Sequence, residues 1–233
     1  MESLSAWFDR ELFGGGAGAA VVTVIGSGGK TSLIWLLARY FARTPRDVLV
    51  TTTTKMFPPA EAALLPGISV AGRLNRATGK LEAPPVGELA ERIAAYDLTL
   101  IEGDGSRGLP LKGWAEHEPA VPPFTTMTVG ILPLWPLGKP ASAELIHRLP
   151  LFRALTGAGA GEALKTGHLV KVIAGEKKNL FTAACGRKVL FLNQIEDEGA
   201  ASQAQTLAAL LPGDFPARRG IIAGSVRQDR IVF

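Results

Sequence analysis

Val21-Val22-Thr23-Val24-Ile25-Gly26-Ser27-Gly28-Gly29-Lys30-Thr31-Ser32 is the stretch on which the reading of the fold turns. An apolar, β-branched run stops at a glycine-rich turn, the turn ends in Gly-Lys-Thr, and a helix-forming segment follows at once. Glycines let backbone N–H groups turn inward around an anion, and a helix N-terminus adds positive potential. A lysine at the end of the turn reaches outer phosphates, and the hydroxyl after it can ligate Mg²⁺. The longer form of this pattern wants a glycine where Val24 stands. The loop is therefore the compact Gly26-x-x-Gly29-Lys30-Thr31, with Ser27, Gly28 and Ser32 also expected on the phosphates. The bland alternative, a turn joining strand to helix with Lys30 merely solvated, fits the order of strand, loop and helix less well.

Composition sets the frame for that loop. The 233 residues are 47% hydrophobic and 20% charged, ordinary for a globular chain, with a formal charge of +4 that suits acidic ligands. Basic residues are dispersed, which argues against a nucleic-acid surface. Cys185 is the single cysteine, so neither an internal disulfide nor a cysteine-cluster metal site is expected. The N-terminal stretch is acidic and amphipathic, unlike a signal peptide. No apolar run approaches the roughly 20 residues of a membrane span. The expectation is a cytoplasmic protein without a membrane or nucleic-acid partner.

Strand-like and helix-like segments alternate. Helices are expected over 3–13, 31–43, 86–96, 142–156, 161–174 and 199–211, and strands over 19–25, 47–51, 98–102, 127–131, 188–193 and 220–224. A hairpin is expected between Ile68 and Leu81 with its tip at 75–79. This is the pattern of an α/β fold of three layers, a mainly parallel sheet with helices on both faces. It reads as one domain over 1–233, with a hairpin insertion at 56–85 and an irregular substrate or lid region at 104–140. In such sheets ligands sit at the carboxyl ends of the strands.

Polar motifs fall at those ends. The second strand runs into Thr51-Thr52-Thr53-Thr54-Lys55. Strand propensity explains Thr51 and Thr53 as residues, but not four hydroxyls followed by an ammonium. Thr53 and Thr54 are candidates to touch the γ-phosphate or the metal's waters, and Lys55 to add charge there. The strand over 98–102 ends in Glu102-Gly103-Asp104-Gly105-Ser106-Arg107. A carboxylate at a strand end beside a phosphate loop holds Mg²⁺ or its water. Glu102 and Asp104 lie two apart, and one of them is expected to take the metal with Thr31. Further on, Lys112, His117 and Glu118 sit in a long polar loop, where His117 reads equally as a surface histidine and as a general base. The late strand ends in Asn193-Gln194-Ile195-Glu196-Asp197, similar to the Asn-Lys-x-Asp base-reading loop of GTP-binding proteins. The same residues would also serve as a plain strand exit with a helix cap.

The compact loop resembles that of the Mur ligase class of ATP-dependent enzymes. The whole set resembles the YqeC family: Gly28-Gly29-Lys30-Thr31-Ser32, Thr51-Thr52-Thr53-Thr54-Lys55, Glu102-Gly103-Asp104-Gly105-Ser106-Arg107 with Leu109-Pro110-Leu111-Lys112, His117-Glu118-Pro119 and Phe191-Leu192-Asn193-Gln194. The resemblance implies a P-loop NTPase-like protein that takes an NTP (ATP or GTP) with Mg²⁺. It also implies a place in the maturation of a molybdenum cofactor for selenium-dependent molybdenum hydroxylases, with that cofactor or its precursor and a molybdenum hydroxylase as partners. An NTP hydrolase or a phosphoryl or nucleotidyl transferase is expected, with Lys30, Lys55, Glu102 and Asp104 as its catalytic groups. A nucleotide-gated delivery module with little turnover is the alternative. A Mur-like ligase ranks last, since the further domains such ligases carry have no counterpart here.

Overall fold

The computed structural model describes residues 2–16, 18–58 and 65–233. In chain order the elements are α1 (Leu4–Phe13), β1 (Ala20–Gly26), α2 (Lys30–Phe41), β2 (Val48–Thr52), β3 (Lys55–Met56), β4 (Ile68–Val70), β5 (Arg73–Asn75), β6 (Lys80–Glu82), α3 (Val86–Ile93) and β7 (Leu98–Glu102). There follow β8 (Leu111–Lys112), β9 (Met127–Pro133), β10 (Ile146–His147), α4 (Leu149–Thr156), α5 (Thr166–Ala174), β11 (Arg187–Asn193), α6 (Glu198–Leu210), β12 (Ile221–Ser225) and β13 (Arg230–Ile231).

Eight strands form one sheet in the order β13-β12-β11-β9-β1-β7-β2-β4. All neighbours run parallel except the terminal β12–β13 pair. Parallel sheets need cover on both faces, and the unbroken apolar run of β1 follows from that: all seven of its residues are buried. Alternate side chains then serve opposite layers. Val22 and Val24 join Val48, Leu100, Val129 and Phe191 beneath α1 and α2. On the other face, Ile25, Leu190 and Leu192 pack with α4, α5 and α6, while Val21, Leu49 and Ile101 meet Leu89 of α3. The expected three-layer α/β fold is the fold observed.

Register fixes the site. Val24 lies opposite Glu102, Gly26 opposite Ile131, and Asn193 opposite Pro133. The carboxyl ends of β1, β7, β9 and β11 therefore line up along one edge of the sheet.

Three local expectations are corrected. Ile68–Val70 does not form an arm of the hairpin but pairs with β2 at the sheet edge, and only β5 and β6 make the hairpin, with β3 added beside β6. Gly72 separates the two uses of the chain: a side chain there would crowd Leu81 and the Glu82 carbonyl. The helix expected from 142 begins at Leu149, because Pro150 suits only a first turn and Arg148 before it is left-handed. The helix expected from 161 begins at Thr166, where the side chain of His168 accepts from the Lys165 N–H. Residues 59–64, within the expected insertion at 56–85, lie outside the described residues.

Candidate functional site

The glycine loop leaves β1 at Gly26 and enters α2 at Lys30. Gly26 has φ 96° and Gly29 has φ 137°, backbone that side-chain-bearing residues avoid. A Cβ on Gly26 would strike the Ile131 carbonyl, and one on Gly29 the amide of Asn193. Both glycines of the compact motif are thus required by conformation and by space. The Ser27 N–H donates to the Ile131 carbonyl at 3.0 Å and its hydroxyl to the Pro110 carbonyl at 2.7 Å, which tie the loop to its surroundings. Gly28 and Ser32 lie on the wall of the adjoining cavity.

Lys30 is 4% exposed. Its ammonium donates to the Gly26 carbonyl at 2.7 Å and to the Ser106 hydroxyl at 3.4 Å, and lies 3.4 Å from Asp104. Asp104 is fully buried and saturated: it accepts from the Gly26 N–H at 3.1 Å, from Lys112 at 3.2 Å and from the Trp114 indole at 3.2 Å. Lys112 in turn donates to the Gly105 carbonyl and to Glu118, which also pairs with Arg148. Buried charges persist only when matched in this way. The sequence marks Lys112 and Glu118 only as loop residues. Their partnership with Asp104 arises from the fold-back of residues 104–119.

Glu102, 6% exposed, accepts from the Thr31 hydroxyl at 2.7 Å. Burial pushes its carboxyl above the ordinary value, and the Lys30 ammonium and the Thr31 hydroxyl offset part of that rise. Thr31 and Glu102 thus present two hard oxygens side by side at a helix N-terminus, the donor chemistry that suits Mg²⁺. Asp104 carries no such opening, since its oxygens are already occupied. Among the described residues no group of three His, Cys, Asp or Glu side chains stands ready for a metal.

The threonine run divides. Thr51 donates to the Ala71 carbonyl at 2.9 Å, Thr52 to the Glu102 carbonyl at 2.9 Å, and Thr53 to the Ala120 carbonyl at 2.7 Å. These hydroxyls stitch β2 to its neighbours. Thr53 and Thr54 nevertheless line the cavity, as does Lys55, which is exposed and paired with Glu82 at 2.8 Å. Asn193 is buried. Its amide donates to the Gly28 carbonyl at 2.8 Å, and its oxygen accepts from the Val226 N–H at 3.0 Å, so it braces the glycine loop against the start of the tail. Asp197 caps α6, accepting from the Ala200 N–H at 2.8 Å.

Two cavities flank the loop. One of about 620 Å³ lies between the loop, β3, the fold-back that carries Ser106, Arg107 and His117, and Arg148 at the start of α4. Another of about 990 Å³ runs over α2 to Trp135, Asn193, Gln194, Glu196 and Arg227. Gly29, Thr31, Ser32 and Phe57 line both. Trp135 and Phe57 are exposed aromatics at this rim, Trp135 with Lys139 over its face and Phe57 with Lys80. The four non-glycine residues with positive φ among those described all line these two cavities: Arg107 and Arg148 the smaller, Gln194 and Asp229 the larger. Strained backbone concentrates at working sites. The sequence reading passes over Trp135, Phe57 and Lys80, whose only signal is an aromatic or ammonium near a strand end or turn.

Among the described residues no helix is long and apolar enough to cross a membrane. Known proteins place the chain. The family model described as YqeC protein matches residues 22–150, which spans β1 through the first residues of α4. A curated protein of Escherichia coli (strain K12), carrying the name "Uncharacterized protein YqeC", is 33% identical over 219 residues, 84% of this chain and 85% of its own. On these two matches the chain belongs to the YqeC family.

Proposed function

We propose that the chain binds a magnesium nucleoside triphosphate at Gly26–Ser32 and uses it for hydrolysis or for phosphoryl or nucleotidyl transfer to an acidic second substrate. The observation that carries this reading is the Thr31–Glu102 pair at 2.7 Å beside the buried Lys30, under the N-terminus of α2. Loop amides and the helix end offer partial positive charge to the phosphates, and Lys30 exchanges the Gly26 carbonyl for a phosphate oxygen. Thr31 and Glu102 are the residues that would hold Mg²⁺, which neutralises phosphate charge when bound. Asp104 keeps Lys30 aimed and pins the base of the loop through the Gly26 N–H. Thr53, Thr54 and Lys55 form the far wall. Most of the catalysis in such transfers is positioning and charge stabilisation, which these residues can supply without a nucleophilic side chain.

The larger cavity is the place for the nucleoside. Trp135 offers a face for stacking, and Asn193, Gln194 and Glu196 offer polar edges. ATP and GTP are the two candidates. The setting implied by the family resemblance, maturation of a molybdenum cofactor with delivery to a selenium-dependent hydroxylase, enters here as part of the proposal.

Calorimetric titration with ATP, GTP and CTP, each with and without Mg²⁺, tests the reading on the parent and on Lys30→Ala. The expected result is Mg²⁺-dependent binding of a purine nucleotide, weakened at least a hundredfold in the variant. Equal affinity in parent and variant would overturn it. A second reading, the nucleotide-gated delivery module, is favoured by one feature: Asp104 links the glycine loop to the 104–119 fold-back. Turnover that stays negligible until a hydroxylase partner is added would select it.

A further inference from the structure

We propose that Arg107, His147 and Arg148 form a second oxyanion site across the smaller cavity from the glycine loop, one that takes a phosphate ester. That this ester belongs to the substrate acted on by the nucleotide rests on the reading above. The anion site rests on its own residues.

The fold spends dedicated structure on placing these three side chains. β8 and β10 make a separate two-stranded parallel sheet whose only register pairs are Ile146 with Leu111 and His147 with Lys112. The Gly113 N–H donates to the His147 carbonyl at 2.9 Å and fixes the same edge. Leu111 and Ile146 anchor this small sheet in the core with Ile25, Leu132 and Phe152, and the sheet sets His147 and Arg148 beside the fold-back that carries Arg107. Both arginines hold left-handed backbone, φ 53° at Arg107 and φ 56° at Arg148. Such a conformation is strained for a side-chain-bearing residue and persists where surrounding structure imposes it.

Charge points the same way. Six cationic side chains at or directly behind this cavity, Lys30, Lys55, Lys80, Arg107, Lys112 and Arg148, meet four carboxylates, Glu82, Glu102, Asp104 and Glu118. Glu118 is shared between Lys112 and Arg148. Burial, then the charges of Arg148, Lys112 and Arg107, hold His147 below its ordinary value, with Glu118 opposing. The cluster therefore carries an excess of positive charge that a dianion would relieve. Guanidinium groups match the oxygens of a phosphate in pairs, and an imidazole adds a single directed donor. A carboxylate, with one charge and two oxygens, satisfies less of the set.

Inorganic phosphate is the probe, followed by calorimetry, with acetate as the carboxylate comparison. To keep the glycine loop out of the measurement, phosphate is titrated into Lys30→Ala and, separately, into the parent saturated with Mg²⁺ and tripolyphosphate. Saturable phosphate binding is expected in both, with acetate at least tenfold weaker. Arg107→Gln and Arg148→Lys, the latter keeping a cation beside Glu118, should each weaken phosphate at least tenfold and leave nucleotide affinity within twofold. Should Lys30→Ala fail to fold, the tripolyphosphate-blocked parent and its two arginine variants decide alone. Absence of saturable binding in the blocked parent, unchanged affinity in both arginine variants, or acetate equal to phosphate would each overturn the proposal. Phosphate binding that survives while no nucleotide binds would remove the nucleotide reading and leave this site standing.

Discussion

Glu102 and Asp104 show how two like side chains, two residues apart, come to different duties. Both face the glycine loop, yet Asp104 accepts from an amide, an indole and lysines, while Glu102 keeps a single hydroxyl partner. The difference has a sign in pH. The folded-state value of Glu102 is raised by burial. Stability from this group is therefore complete below its unfolded value and is lost as pH climbs through the raised one. Glu102→Gln removes that loss: the variant should melt at or above the parent at neutral pH, with a flatter pH dependence. Its Mg²⁺-dependent nucleotide binding should weaken at least tenfold, while metal-free binding changes little. Melting curves across pH and paired titrations check both halves. Asp104→Asn should behave oppositely. It leaves the buried Lys30 and Lys112 short of a countercharge and should cost about 3–5 kcal/mol in denaturant unfolding, with or without magnesium.

The elements differ in how far residue order announces them. β1, the glycine loop and α2 were open to reading because their determinants are consecutive: β-branched residues, then glycines at forced positions, then a helical run apolar nearly all round. The ends of β7 and β11 were open for the same reason, an apolar strand closing on Glu102 or Asn193. What stayed hidden depends on partners distant in the chain. Lys112 looks like a loop lysine until Asp104 and Glu118 fold around it, and two-residue strands such as β8 and β10 are too short to leave a periodic trace. The helix expected over 142–148 gives way to β10 and to the left-handed Arg148 that opens α4. Asn193 shows an element-scale role that composition could not display, as the brace between β11, the glycine loop and Val226. Asn193→Ala leaves the Gly28 carbonyl and the Val226 N–H without this partner. It should lower unfolding stability by about 1–3 kcal/mol and weaken nucleotide binding at the same time, read by denaturant melts and calorimetry.

Across the whole molecule, parallel register does the gathering. Four strand ends meet at one sheet edge because β1 sits between β7 and β9 with β11 beyond. That edge receives the loop, the hydroxyls of β2 and the fold-back of 104–119, and it opens on the two cavities. A ligand that binds the folded chain and not the unfolded one stabilises it by mass action. At a free concentration about a hundredfold above its dissociation constant the gain is about 2.7 kcal/mol, or roughly 5–11 °C in melting temperature for a chain of this size. Purine nucleotide with Mg²⁺ should produce a shift in that range.

Gly29, Thr31, Ser32 and Phe57 form a common wall between the two chambers. On the proposed reading this wall makes the nucleotide a tethered pair, with one moiety anchoring while the other finds its seat at high local concentration. Severing the tether should be costly. Nucleoside and tripolyphosphate supplied together but unlinked should fall short of the intact nucleotide by about 10²–10⁴ in apparent affinity, as competition binding would measure.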